Sequence, residues 1–254
     1  MILKGKNILI MGLRNKWSIA WGAAQSAQEQ GANLIFTYLS EEKRESIEKL
    51  LDSIPGAILY SCDVSKDDDI TRLFETLKKD YGVIHGVLHS IAHANTKDLH
   101  NDFVNTSRDG FAHANNVSAY SLVAVSKAAQ DVMTEGGGIV TLTYLGAEKV
   151  MPNYNVMGVA KAALECSVRY LASDLGPKNI RVNAVSAGPI KTLSARGVKD
   201  LDRILEAVET KAPLRRNVDA KEVGDVVTFL MSDMSRGVTG EVIYVDSGYN
   251  VMGI

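Results

Sequence analysis

Short apolar runs alternate with longer amphipathic ones along the whole chain, and this alternation predicts a repeating strand–helix unit. Asn7 to Met11 (NILIM) is continuously apolar and ends at Gly12, the pattern of a central parallel strand covered on both faces. A helix is predicted from about Ser18 to Gln30, with Ser18 as N-cap and Gly31 as the stop. The unit repeats as a strand over Asn33 to Tyr38, a charged helix over Glu41 to Ser53, a strand over Ala57 to Cys62 and a helix over Lys66 to Tyr81. The second half continues with a strand over Ile84 to Ile91, a helix over Asn116 to Thr134, a strand over Gly138 to Tyr144 and a helix over Asn153 to Leu175. A strand over Arg181 to Ser186, helices over Leu201 to Thr210 and Ala220 to Met231, and a strand over Glu241 to Val245 complete the series. Seven strands with helices between them predict an α/β fold: a doubly wound, Rossmann-like parallel sheet with helices on both faces.

Length alone allows either two small domains or one large one, since the chain has 254 residues. No stretch rich in Pro, Ser or charge divides it and only five prolines occur, so residues 1–254 read as one domain. Two cysteines, Cys62 and Cys166, stand far apart and form no CxxC pair, which argues against a disulfide framework and a structural zinc. A net charge of −2, with no block of Lys and Arg, leaves no footprint for nucleic acid. The N-terminus lacks a secretion signal and no run of about 18 apolar residues occurs, so no helix is expected to span a bilayer and the expected location is the cytoplasm. Two longer segments, Ala92 to Ala114 and Ala187 to Asp200, follow predicted strands directly. Ligands of doubly wound sheets bind at that edge, so both segments are candidate site loops.

The first strand–helix turn, Gly12 to Gly22, is not GxGxxG. It keeps a glycine at the strand exit, a hydroxyl at the helix start and little bulk at Ala20 and Gly22, which suits a pyrophosphate facing helix N-terminal amides. The competing reading makes Gly12 a strand-ending glycine and Ser18 only a cap. Asp63 can accept a hydrogen bond from an adenine amino group or can cap the following helix. After the second strand, where an acid often marks NAD preference, stands Leu39, followed by Ser40, Glu41, Glu42, Lys43 and Arg44. At the fifth strand end come Tyr144 and then Tyr154, seven residues and about two turns before Lys161. An ammonium near a phenol is expected to lower the tyrosine pKa, and such a phenol can stabilise or protonate an oxyanion. A buried aromatic beside a snorkelling lysine is the alternative.

With those residues in view, the chain resembles the enoyl-acyl carrier protein reductases of bacterial fatty acid synthesis, a divergent branch of the short-chain dehydrogenase/reductase superfamily. The similarity runs along essentially the whole length. It is carried by GxxxxxSIAxG at Gly12 to Gly22, FTY at Phe36 to Tyr38, CDV at Cys62 to Val64 and HSIA at His89 to Ala92. Further matches are the stretch from Leu142 to Glu165, RVNAVSAGPIKTLSA at Arg181 to Ala195 and GEVIYVDSGYN at Gly240 to Asn250. Typical dehydrogenases of the superfamily use Tyr-x3-Lys. Here Met157 stands at that tyrosine position, and Tyr-x6-Lys is the branch's own signature.

The resemblance implies that Gly12, Ser18 and Ile19 line the cofactor pyrophosphate and that Asp63 and Val64 hold the adenine. It places Leu39 by the adenosine ribose, Ile91 and Ile190 by the nicotinamide, and Lys161 on the nicotinamide ribose. It closes Ile190, Lys191, Thr192, Leu193 and Ser194 over the cofactor, within a substrate lid around residues 191–210. Ala94 contacts the acyl thioester, and Tyr144 and Tyr154 are the active-site tyrosines. Ala92 stands where relatives often carry glycine, and His93 is another variable position. The implied reaction reduces the trans-2 double bond of an enoyl thioester on acyl carrier protein, with NADH expected because no arginine directly follows Tyr38. NADPH stays open because Lys43 and Arg44 are near. A homotetramer is expected, with the apolar C-terminal region from Val242 to Ile254 packed in it. The competing functions are a ketone or alcohol dehydrogenase of the same superfamily and a non-catalytic dinucleotide-binding protein.

Overall fold

The computed structural model describes residues 1–192 and 201–253. Among these, seven strands form one parallel sheet: β1 (Asn7–Met11), β2 (Asn33–Tyr38), β3 (Ile58–Ser61), β4 (Gly86–His89), β5 (Gly137–Thr143), β6 (Ile180–Ala187) and β7 (Val242–Val245). Their order is β3-β2-β1-β4-β5-β6-β7, and every neighbouring pair is parallel. The chain winds outward from β1 through β2 to β3, then crosses back to β4 and winds the other way. That reversal leaves a crevice between the carboxyl ends of β1 and β4, where ligands of such sheets bind.

Strand alternation divides the interior into two cores. Leu9 and Met11 of β1 face one side, packed with α3 (Asp67–Tyr81), α6 (Ser121–Ala129) and α7 (Asn155–Leu175). Ile8 and Ile10 face the other, with α1 (Ile19–Glu29), α2 (Glu41–Leu51) and α9 (Ala220–Met231). Each fully buried aliphatic side chain contributes roughly 1.5–3 kcal/mol. α1 and α9 approach closely because glycine meets backbone: a Cβ on Gly22 would lie 2.1 Å from the Ala220 carbonyl oxygen.

The segment expected to lack an element, Ala92 to Ala114, contains α4 (Thr96–His100), a 3₁₀ turn (Phe103–Asn105) and α5 (Arg108–Asn115). α5 runs through a π-helical turn (Asn116–Tyr120) into α6, so the helix expected over Asn116 to Thr134 starts earlier and ends at Ala129. Polar capping builds this region and apolar periodicity does not: Ser107 caps α5, accepting from the Gly110 amide at 3.0 Å. The buried Asp98 carboxylate accepts from the Ser107 amide at 3.1 Å and its hydroxyl at 3.2 Å. α8 (Leu201–Lys211) lies beyond residues 193–200. No helix among the described residues is long and apolar enough to cross a membrane.

Candidate active site

β1 leads straight into Gly12, whose φ of +92° belongs to glycine and whose added Cβ would sit 2.0 Å from the Ser90 carbonyl oxygen. The turn thereby presses against the exit of β4. Asn15 then accepts from the Ser18 hydroxyl through its carbonyl at 2.7 Å, and Ser18 caps α1 by accepting from the Trp21 amide at 3.3 Å. No acid stands in the first turn of α1, so its positive end is not neutralised from within. Ile19, at that helix start, lines a cleft of about 360 Å³.

The same cleft is bordered by Ala92, His93 and Ala94 after β4, Thr143, Tyr144 and Tyr154 around β5 and α7, and Ile190 and Thr192 after β6. Leu201 and Ile204 of α8 complete the rim. Ile91 is half-buried beside Gly12, and a Cβ on that glycine would come within 3.2 Å of its Cγ1. Lys191 is exposed and paired with Asp202 at 3.0 Å. Leu193 and Ser194 lie outside the described residues, as does the remainder of the expected lid up to Asp200.

At the other end of the sheet edge, Leu39 follows β2 and is 62% exposed. The nearby cations are already engaged: Arg44 with Glu48 at 2.7 Å and Glu41 at 3.5 Å, and Lys43 with Glu42 at 2.9 Å. Glu41 also accepts from the Tyr38 hydroxyl at 2.5 Å. Asp63 does not cap α3, one of the two roles weighed for it. α3 begins at Asp67 after Lys66, and the Asp63 carboxylate instead accepts from the Ser65 amide at 3.0 Å and its hydroxyl at 2.7 Å. The turn leaves Asp63 partly accessible at the sheet edge, with Val64 buried behind it.

The tyrosines meet at the centre of the cleft wall. The rings of Tyr144 and Tyr154 are 4.9 Å apart and 69° from coplanar, an edge-to-face contact. Gly146 makes room, since a Cβ there would fall 2.5 Å from the Tyr154 ring. Tyr154 is the N-cap residue of α7, and Lys161 lies within the helix. Lys161 is 5% exposed and donates to the Leu142 carbonyl at 2.7 Å, so it is no snorkelling surface lysine.

The expected lowering of the tyrosine pKa is overturned. Burial, with Tyr144 and Glu165 as smaller contributors, raises the Tyr154 phenol well above its usual value, and burial pushes Tyr144 up to about 12. Burial likewise pushes Lys161 down to about 8, against the opposing pull of Glu165. Desolvation of the enclosed phenol disfavours the phenolate, and Tyr144 and Glu165 disfavour it further, so Tyr154 is a protonated donor at neutral pH.

Sequence reading gave no role to four polar groups, of which it had marked only His93, as a variable position. His89 is fully buried between the Thr141 hydroxyl at 3.0 Å and the Ser121 hydroxyl at 2.8 Å; burial and the nearby Lys161 hold it at about 3, hence neutral. His93, on the cleft wall, meets His113 Nε2 through its Nδ1 at 2.7 Å. A partnership across 20 residues leaves no periodic signal. Glu165 accepts from the Thr143 hydroxyl at 2.6 Å. Its signal was available: a carboxylate four residues after Lys161, on the buried face of α7. No group of three or more metal-ligating side chains suited to an ion occurs among the described residues.

Comparison with known proteins places this arrangement. The family model described as Enoyl-(Acyl carrier protein) reductase matches residues 12–250. The NADH-type enoyl-acyl-carrier-protein reductase of Bacillus cereus is 56% identical over 99% of both chains. The NADPH-type reductase of Staphylococcus aureus strain MRSA252 is 54% identical over 98% of both. A crystal structure of the Bacillus cereus reductase with NADP+ and an indole naphthyridinone has a TM-score of 0.98 at 56% identity, covering 100% of this chain and 99% of that one. Fold and sequence agree along essentially the whole length, and the chain belongs to the enoyl-acyl-carrier-protein reductase family.

Proposed function

We propose that the chain reduces the trans-2 double bond of enoyl thioesters carried on acyl carrier protein, with NADH as reductant, in fatty acid biosynthesis. The observation that carries this reading is the protonated Tyr154 at the wall of the cleft, packed on Tyr144, with Lys161 buried behind it. The donor set fits a dinucleotide. Gly12 keeps the turn free of side-chain bulk, α1 presents an unneutralised positive end, and the cleft opens at the carboxyl edge of the sheet.

In this reading Gly12, Ser18 and Ile19 hold the pyrophosphate, Asp63 and Val64 the adenine, and Leu39 flanks the adenosine ribose. Ile91 and Ile190 border the nicotinamide, Lys161 binds its ribose, and Lys191 and Thr192 lie over it. A bound reduced nicotinamide supplies the hydride delivered to the β-carbon of the enoyl chain. Negative charge then develops on the thioester oxygen, and the Tyr154 hydroxyl donates a hydrogen bond to it. The α-carbon takes up one proton, which gives the saturated acyl chain. Ala94 lines the acyl path, and Tyr144 orients Tyr154 by edge-to-face packing.

Met157, buried at the cleft wall, favours this reading over a ketone or alcohol dehydrogenase, because it occupies the position where Tyr-x3-Lys needs a phenol. Preference for NADH is supported by Leu39 and by the engagement of Lys43 and Arg44 with carboxylates, which leaves a 2′-phosphate without a ready partner. Two free cysteines support a reducing cytoplasm, and Val251, exposed in the C-terminal segment, supports burial in a homotetramer. Crotonyl and acetoacetyl thioesters supplied in turn with NADH and NADPH, followed by cofactor absorbance, test the proposal. Oxidation of NADH with the crotonyl substrate is expected, and activity confined to acetoacetyl thioester would refute it.

A further inference from the structure

One turn beyond Lys161, α7 carries a second ionisable side chain, Glu165, only 7% exposed. Thr143, the last residue of β5 and part of the cleft wall, donates to Glu165 Oε1 at 2.6 Å. The preceding residue, Leu142, offers its carbonyl to Lys161 at 2.7 Å. Two consecutive residues at the strand end are thus gripped by two side chains spaced four apart on one helix face. The grip fixes the end of β5 against α7.

A carboxylate and an ammonium are also enclosed one helix turn apart on α7. An isolated charge is costly in a dry interior, and here opposite charges are enclosed together. Burial drives Lys161 down to about 8 and drives Glu165 up, while each opposes the other's shift. The remaining groups around them are accounted for. Arg169 of α7 and the Thr143 hydroxyl favour the Glu165 carboxylate, and Glu148 beyond β5 opposes it. Glu165 in turn raises Tyr154, and it raises Tyr244 of β7 together with Glu148 and Asp246. His89 of β4 is neutral across the relevant range.

We propose that Glu165 is a positioning residue: bound to Thr143, it holds the end of β5, and with it the Leu142 carbonyl, against the Lys161 ammonium, and it sets a carboxylate one helix turn from that ammonium. The inference rests on the reading of Lys161 as the ligand of the nicotinamide ribose. Its test begins on the cofactor-free protein, with ¹³C-labelled lysine side chains titrated by NMR and the Lys161 signal identified by its loss in Lys161→Arg. NADH affinity is measured in parallel by fluorescence across pH.

In the unsubstituted protein the Lys161 midpoint is expected near 8. Glu165→Gln retains an acceptor for Thr143 but loses the charge, so the midpoint falls by at least about half a pH unit and NADH affinity near pH 9 drops about threefold, with little change near pH 6. Thr143→Val leaves the carboxyl in place and moves the midpoint less, in the same direction, and Glu165→Asp restores part of the shift. An unmoved midpoint in both Glu165→Gln and Thr143→Val overturns the proposal even if turnover is lost, because a purely structural glutamate lowers activity alike at every pH. A midpoint that moves while NADH affinity ignores pH supports the role of Glu165 and overturns the assignment of Lys161 to the ribose.

Discussion

At the β1–α1 turn the cleft is shaped by backbone, whereas at the β5–α7 end it is shaped by buried side chains. Gly12 stands where any Cβ would strike the Ser90 carbonyl, and Ser18 contributes one capping hydroxyl. The other end encloses Tyr154, Lys161, Glu165 and His89, whose ionisation is set by desolvation and by one another. The first kind of site is sensitive to added volume and the second to lost polarity. Substitutions at the two ends therefore fail in different ways, and measurements that separate folding, cofactor binding and turnover tell them apart.

The largest effect is expected at the side-chain end. Tyr154→Phe keeps the ring beside Gly146 and Tyr144 but removes the donor, so turnover of crotonyl thioester should fall by about 100-fold or more while NADH affinity and melting temperature hold. Near-normal turnover would show that the phenol does not meet the developing charge. At the backbone end, Gly12→Ala forces a Cβ into a carbonyl and a side chain into left-handed backbone. It is expected to cost roughly 3 kcal/mol in urea unfolding, with loss of NADH binding. Unchanged stability and binding would mean that the turn yields easily and that the comparison is drawn too sharply.

Acid sharpens the contrast further. His89 is held at about 3 in the folded chain against an ordinary histidine value of 6.5, so between those values the unfolded chain binds the extra proton. Its contribution to stability is complete above about pH 6.5 and is lost as pH falls toward about 3. Melting temperature should decline through that window, and His89→Gln should flatten the decline; an equal decline in the variant would assign acid sensitivity to other groups. The smallest effect belongs to Ser18→Ala, which removes one cap and is expected to cost about 1 kcal/mol in the same unfolding measurement. A much larger loss of NADH affinity than of stability would give the hydroxyl a ligand contact beyond its cap.

Much of this was legible from the chain. The apolar run at β1, the cap at Ser18 and the stop at Gly31 follow from period and residue type, and the structure places each within a residue or two of expectation. The segment from Ala92 to Ala114 was not legible as helix, because α4 and α5 are short and α5 depends on its Ser107 cap, held by Asp98, more than on an apolar stripe. Asp63 shows the same limit: sequence allowed a cap, and the length of the following turn, with Ser65 in reach, decided otherwise.

By itself the sequence determined the order of strands and helices, the single parallel sheet they imply, the positions of Tyr144, Tyr154 and Lys161 at one strand–helix junction, and the family to which they belong. The elements and their order are encoded in periodicity and spacing, which are local, and the family in the resemblance of the motifs. Only the tertiary structure decided which way the charges lean. Spacing argued that Lys161 would lower the tyrosine pKa; enclosure of the Tyr154 phenol raises it instead, because desolvation depends on everything packed around a side chain. The same holds for the pairing of Glu165 with Thr143 and of His93 with His113, which exist only once distant segments have been brought to the same edge of the sheet.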